Sequence, residues 1–202
     1  MTTRIYMDNA ATTPVREEVL QAILPYFREY YGNASSVYAI AKESKKALEN
    51  ARKQVADLIG AKSEEIYFTG GGSESDNWAL KATAETYAGK GKHIITTKIE
   101  HHAVLHTCQY LEKKGYEVTY LDVDEYGTIN LKELENAIRP DTILMSIMAA
   151  NNEIGTIQPL AQIGQIAKKH DVTEAGATNT EKFYKTESNF HYALTMGADN
   201  CK

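Results

Sequence analysis

Cysteine is scarce in this sequence. Only Cys108 and Cys201 occur, far apart and with no Cys-x-x-Cys pair, which argues against a disulfide framework and against a structural zinc site. Cys108 falls within an expected helix and reads as a small packed residue. No run approaches the length needed to span a bilayer, and the N-terminus has no apolar signal core, so the expected compartment is cytoplasmic and no membrane contact is expected. A basic field is also missing. Lys and Arg number 22 against 27 Asp and Glu, for a net charge of -5, which gives no footprint for nucleic acid or acidic membranes. The lysines of the stretch 42–46 alternate with Glu43 as solvated helix faces do. There is no internal repeat and no low-complexity segment.

What is present is ordinary for a globular chain of 202 residues: 43% hydrophobic and 24% charged, enough for a sizeable core. Helical periodicity runs through Glu17 to Tyr30, Ser36 to Ile59 and Ser75 to Tyr87, and short β-branched or aromatic runs lie at Ile66 to Phe68 and His93 to Thr97. The alternation continues with a helix from His102 to Lys114, a strand at Glu117 to Val123, a helix at Leu131 to Ile138, a strand at Thr142 to Met148 and a helix at Leu160 to His170. Strands alternating with helices of this length predict an α/β fold with a largely parallel sheet and helices on both faces. Ligands in such sheets gather at the carboxyl ends of strands.

Three polar clusters are expected at those ends. The first is Thr69-Gly70-Gly71-Gly72-Ser73-Glu74-Ser75-Asp76-Asn77, a glycine run between a strand-like and a helix-like segment. Its uncovered backbone and the unpaired N–H groups of the following helix start suit an anion, while a flexible turn is the bland alternative. No Gly-Lys-Ser/Thr follows, which excludes a P-loop, and the spacing does not fit Gly-x-Gly-x-x-Gly. A phosphate-bearing cofactor that is not a nucleotide remains. The second cluster is Glu100-His101-His102. A metal reading is weak because adjacent side chains diverge; an imidazole there could stack on a planar ring, move a proton or simply cap a helix. The third is Asn151-Asn152-Glu153-Ile154-Gly155, which reads either as a turn or as a pair of amides able to fix a polar ring substituent.

Taken in order, Tyr6-Met7-Asp8-Asn9-Ala10-Ala11-Thr12-Thr13-Pro14, Gly32-Asn33-Ala34-Ser35-Ser36, the stretch 68–77, Glu100-His101-His102-Ala103-Val104-Leu105 and Asn151-Asn152-Glu153-Ile154-Gly155-Thr156 closely resemble the cysteine desulfurase family. These are class V aminotransferase-like proteins that use pyridoxal 5'-phosphate (PLP), and the resemblance runs from Ile5 to Val172. It implies a PLP-dependent transferase large domain of the aspartate aminotransferase type, here truncated. Gly72 and Ser73 would hold the phosphate, His101 would stack on the pyridine ring, and Asn152 would bond its phenolic oxygen. Asn33 and the 9–12 loop would lie near the substrate end or a subunit contact. The family converts L-cysteine to L-alanine, passes the sulfur through an enzyme persulfide to iron–sulfur scaffolds or thiolation systems, and forms homodimers. Selenocysteine lyase and other class V lyases share these motifs.

After Val172 the resemblance fades. The family continues into His-x-Asp-Ala-x-Gln and Ser-x-His-Lys, whereas this chain has Thr173-Glu174-Ala175-Gly176-Ala177-Thr178 and a polar tail. Residues 1–172 are therefore expected to be the N-terminal part of the transferase domain, with 173–202 an atypical, poorly packed segment. Lys182-Phe183-Tyr184 echoes the family's Schiff-base lysine segment and makes Lys182 the candidate for that role, but a frameshifted or fused end explains the tail more simply. The pyridinium aspartate and persulfide cysteine have no convincing counterparts, which implies no turnover by this chain alone. A non-catalytic fragment that binds a full-length desulfurase is the alternative.

Overall fold

The computed structural model describes residues 5–9 and 11–175. The chain divides at the Phe68–Thr69 bond into two compact units. The first holds helices α1 (Glu17–Arg28) and α2 (Ala39–Ile59) and a single 3₁₀ turn at Ser63–Glu65. Helix α2 starts after Tyr38, three residues later than expected. Asn33 has already folded the preceding chain into a turn, accepting the Ser35 N–H on its side chain and the Ser36 N–H on its carbonyl. Gly60 ends the helix in the left-handed conformation, φ 70°, with its N–H on Ala56 O. The expected strand at Ile66 to Phe68 does not form. Ile66 is extended, but the unit's described residues hold no strand to pair with it, and its carbonyl is taken by the Arg52 guanidinium.

The second unit carries helix α3 (Gly72–Thr86), strand β1 (His93–Thr97), α4 (His102–Lys113), β2 (Glu117–Leu121), α5 (Leu131–Ala137), β3 (Thr142–Ser146), α6 (Leu160–Lys169) and β4 (Thr173–Ala175). The strands form one four-stranded parallel sheet in the order β2-β1-β3-β4. Every residue of the central strands β1 and β3 is buried, as a parallel sheet covered on both faces requires. Strand side chains divide between two cores. Ile94 and Leu144 join Leu80, Ala84, Val104, Cys108 and Leu111 beneath α3 and α4. Ile95 and Met145 join Leu134, Ile163 and Ala167 beneath α5 and α6. Burial pushes the Cys108 thiol up to about 12, so it packs as a small apolar group rather than a nucleophile.

Two sheet boundaries differ from expectation. Strands β2 and β3 stop at Leu121 and Ser146, two residues short, because the chain turns off at the carboxyl ends into the loops described below. At the other edge the sheet does not end at Val172: Thr173–Ala175 pairs in parallel with Leu144 to Ser146. The pairing uses backbone groups, so an apolar run is not needed for an edge strand. Lys182 and Cys201 lie outside the described residues.

At the amino end of the sheet, buried His93 bonds Thr142 Oγ1 at 2.7 Å through Nδ1 and Thr119 Oγ1 at 2.8 Å through Nε2, joining three strands. Burial lowers its pKa, and both ring nitrogens are occupied, so this histidine is structural.

Candidate functional site

Helix α3 begins at Gly72, three residues earlier than expected, because Gly71 O accepts the Ser75 N–H at 3.1 Å. Gly72 and Ser73 are therefore in the first turn, where backbone N–H groups have no intrahelical partner. A Cβ built on Gly71 would meet nothing within 4 Å, so the space in front of this helix start is open. Glu74 folds back onto the Gly70 N–H, and Thr69 Oγ1 bonds Ser75 Oγ at 2.6 Å, which stiffens the loop from within. None of the three glycines needs left-handed backbone; what they provide is uncovered main chain.

Strands β1 and β3 are parallel neighbours, so the loops that leave them run side by side. His101 is the N-cap of α4, its Nδ1 accepting the Ala103 N–H at 3.1 Å. The capping role considered from sequence thus occurs, and the His101 residue remains exposed. Ser73, Asn77 and Lys81 from α3 and His101, His106 and Tyr110 from α4 line one cleft of about 390 Å³. The Lys81 ammonium donates to Asn77 Oδ1 at 2.8 Å and lies 4.8 Å from the Tyr110 ring centroid, adding a cation to the cleft wall.

Of the two expected amides, only one builds the turn. Asn151 is buried and its Oδ1 accepts the N–H groups of Glu153 and Ile154 at 2.9 and 3.0 Å. Asn152 is exposed. The turn therefore uses Asn151 and leaves the Asn152 side chain exposed. Among the expected site residues, Ser73 and His101 share the cleft; Asn152 stands on the adjacent loop and Lys182 is outside the described residues.

Three residues were not expected from sequence. Glu100 is 6% exposed, and its Oε1 accepts both the Thr97 hydroxyl at 3.0 Å and the Met148 N–H at 2.8 Å. Burial pushes its carboxyl up to about 7. Asp76, in the first turns of α3, is equally buried and is pushed up to about 6 for the same reason. Both acids lie within the polar clusters quoted above, but nothing in local spacing marks them as inward-facing. His106 follows His102 by four residues, and their rings lie 5.4 Å apart in the same region of α4; this i,i+4 spacing was visible in the sequence. Among the described residues no group of three or more His, Cys, Asp or Glu gathers to hold a metal ion. No helix among them is long and apolar enough to cross a membrane.

Comparison with known proteins matches residues 5–183 to the aminotransferase class-V family, eleven residues beyond Val172, the expected end of the resemblance. Cysteine desulfurase IscS of Methanosarcina thermophila is 63% identical over 168 residues, covering 83% of this chain and 42% of that protein. A solved NifS-like protein superposes with a TM-score of 0.84 at 45% identity, over 87% of this chain and 49% of the other. A structure described as SspA in complex with cysteine superposes with a TM-score of 0.82 at 41% identity, over 85% of this chain and 50% of the other. The chain thus spans less than half the length of the curated relative and about half of each solved chain.

Proposed function

The chain belongs to the class V aminotransferase family, and we propose that it supplies the cofactor-phosphate face of a PLP-dependent cysteine desulfurase. The substrate in this reading is L-cysteine, the amino acid bound in a structural relative. The products are L-alanine and a persulfide whose sulfur goes to an iron–sulfur scaffold or a thio-cofactor. The reading places the protein in the cytoplasm as a homodimer. Residues 1–172, with the edge strand Thr173–Ala175 that continues their sheet, form the N-terminal part of the transferase domain.

One observation carries the reading: α3 starts at Gly72 with open space before it, and the exposed ring of His101 shares a cleft with Ser73. The residues fit the group. Main-chain N–H groups of Gly72 and Ser73, with the Ser73 hydroxyl, bind the phosphate, aided by the positive end of the helix. His101 orients the pyridine ring by stacking; because Nδ1 accepts the Ala103 N–H, the neutral imidazole carries its proton on Nε2, available for transfer. Asn152 donates its amide to the phenolic oxygen. PLP, when bound, supplies the electron sink for chemistry at the amino-acid Cα.

The test is a PLP titration followed by absorbance and fluorescence. Ser73→Asp puts a carboxylate where the phosphate binds and is expected to weaken binding about tenfold or more, the scale of one charge-assisted hydrogen bond lost. Equal affinity in wild type and Ser73→Asp would defeat the assignment.

A further inference from the structure

The loops that follow β1 and β3 are braced across one another by two buried side chains. From the first loop, Glu100 reaches over to accept the Met148 N–H at 2.8 Å. From the second, Asn151 reaches back, its Nδ2 donating to Ile99 O at 3.1 Å. Each brace also ties its own loop: Glu100 to the Thr97 hydroxyl, and Asn151 to the Glu153 and Ile154 N–H groups. Glu100 is 6% exposed and Asn151 8%. The residue after each turns outward: His101 and Asn152 are both exposed. The same two-residue pattern, an inward anchor followed by an outward polar side chain, thus occurs once on each loop.

We propose that Glu100 and Asn151 are positioning residues, a reciprocal brace that holds His101 and Asn152 in fixed register so that the two can engage one planar ligand together. The inference rests on the reading that this ligand is PLP. The brace acts through main chain: Glu100 fixes the backbone from which the Asn152 loop departs, and Asn151 fixes the carbonyl one residue before Glu100. The His101 ring has its own restraint, the Ala103 N–H, so the brace sets where the ring stands rather than how it rotates. Both Glu100 bonds fall on Oε1, so a glutamine with its amide oxygen in that place keeps both, and an aspartate, one methylene shorter, keeps neither.

The experiment uses isotope-labelled full chain and the variants Glu100→Ala, Glu100→Gln, Glu100→Asp and Asn151→Ala, with circular dichroism as the check on folding. Two readouts are taken: NMR resonances of the His101 ring and the Asn152 side-chain amide, and affinity for PLP. Asn151→Ala is expected to shift the His101 ring signal, and Glu100→Ala or Glu100→Asp the Asn152 amide, each across to the opposite loop. Glu100→Gln restores the wild-type positions. PLP affinity falls about tenfold in the disrupted variants, as for one lost hydrogen bond, and recovers in Glu100→Gln. Shifts confined to the mutated loop would overturn the brace, whatever the affinity for PLP, and so would cross-loop shifts with unchanged affinity. Cross-loop shifts in a chain whose wild type binds no PLP would retain the brace and remove the cofactor reading; binding abolished by Ser73→Asp but untouched by the brace variants would do the reverse. If Glu100→Ala does not fold, Glu100→Asp decides.

Discussion

Residues 5–68 and 69–175 are both rich in amphipathic helix, yet they use it differently. In the first stretch α1 buries none of its residues, and the only buried apolar residues are Ala41, Ala56 and Ile66 among those described. Phe27 is 75% exposed and Tyr31 68%. In the second, α3 and α4 close one face of a sheet and α5 and α6 the other, and every buried polar or charged side chain among the described residues lies here. Helical periodicity creates an apolar stripe; it does not create a partner for it. A sheet offers two faces at once, so each crossover helix in 69–175 finds apolar surface to cover. Once that core excludes water, acids such as Glu100 and Asp76 can be held inward at raised pKa, and Glu100 there ties the loops that follow β1 and β3.

The comparison can be broken most directly by deleting side chains in each region. Leu144 is fully buried in the sheet, so Leu144→Ala is expected to cost about 2–5 kcal/mol, whereas Phe27→Ala should stay within about 0.5 kcal/mol. Urea unfolding followed by circular dichroism measures both. Similar costs would mean that α1 is covered in solution by something further, such as a second copy of the chain.

The next effect is electrostatic. Glu100 in the folded chain holds its proton up to about pH 7, against 4.5 in the unfolded chain. The folded state therefore binds more protons between these values, and the contribution of Glu100 to stability declines as pH rises from 4.5 through 7, by about 3 kcal/mol. Asp76, raised from 3.8 to about 6, acts in the same sense at lower pH. Glu100→Gln should leave stability near pH 4.5 unchanged and raise it at pH 8, flattening the profile. Superimposable urea midpoints for wild type and Glu100→Gln at pH 5 and pH 8 would show that the carboxyl is solvated instead.

Smaller still is the contrast between two glycines. A Cβ at Gly91 would stand 2.1 Å from Asp141 O, a main-chain atom that also accepts the His93 N–H, so Gly91→Ala must displace the start of β1 or β3. Gly60 has open space around it and only its left-handed φ of 70° to resist substitution, so Gly60→Ala should cost about 1–2 kcal/mol. Amide exchange sharpens the result. Gly91→Ala should raise exchange across β1 and β3, while Gly60→Ala should act only on the last turn of α2.

The sequence by itself determined the alternation of strands and helices from His93 to His170, the parallel sheet with helices on both faces, and the gathering of the His101 and Asn151-Asn152 motifs at strand carboxyl ends. Those follow from local periodicity and from the need of each apolar face for cover. It also marked the glycine run 70–72 as a junction before a helix, where the main chain of Gly71 is uncovered. Local patterning did not determine that Ile66 to Phe68 lacks a strand partner, or that Thr173–Ala175 finds one, because a strand exists only beside another strand. Nor did it say which asparagine of the pair faces inward, or that Glu100 is buried. Those depend on Met148, 48 residues after Glu100, and on Ile99, 52 residues before Asn151. Hydrogen bonds between residues so distant in the chain come into being only when β1 and β3 lie side by side, and the tertiary structure alone decides which polar groups then lose water and which keep it.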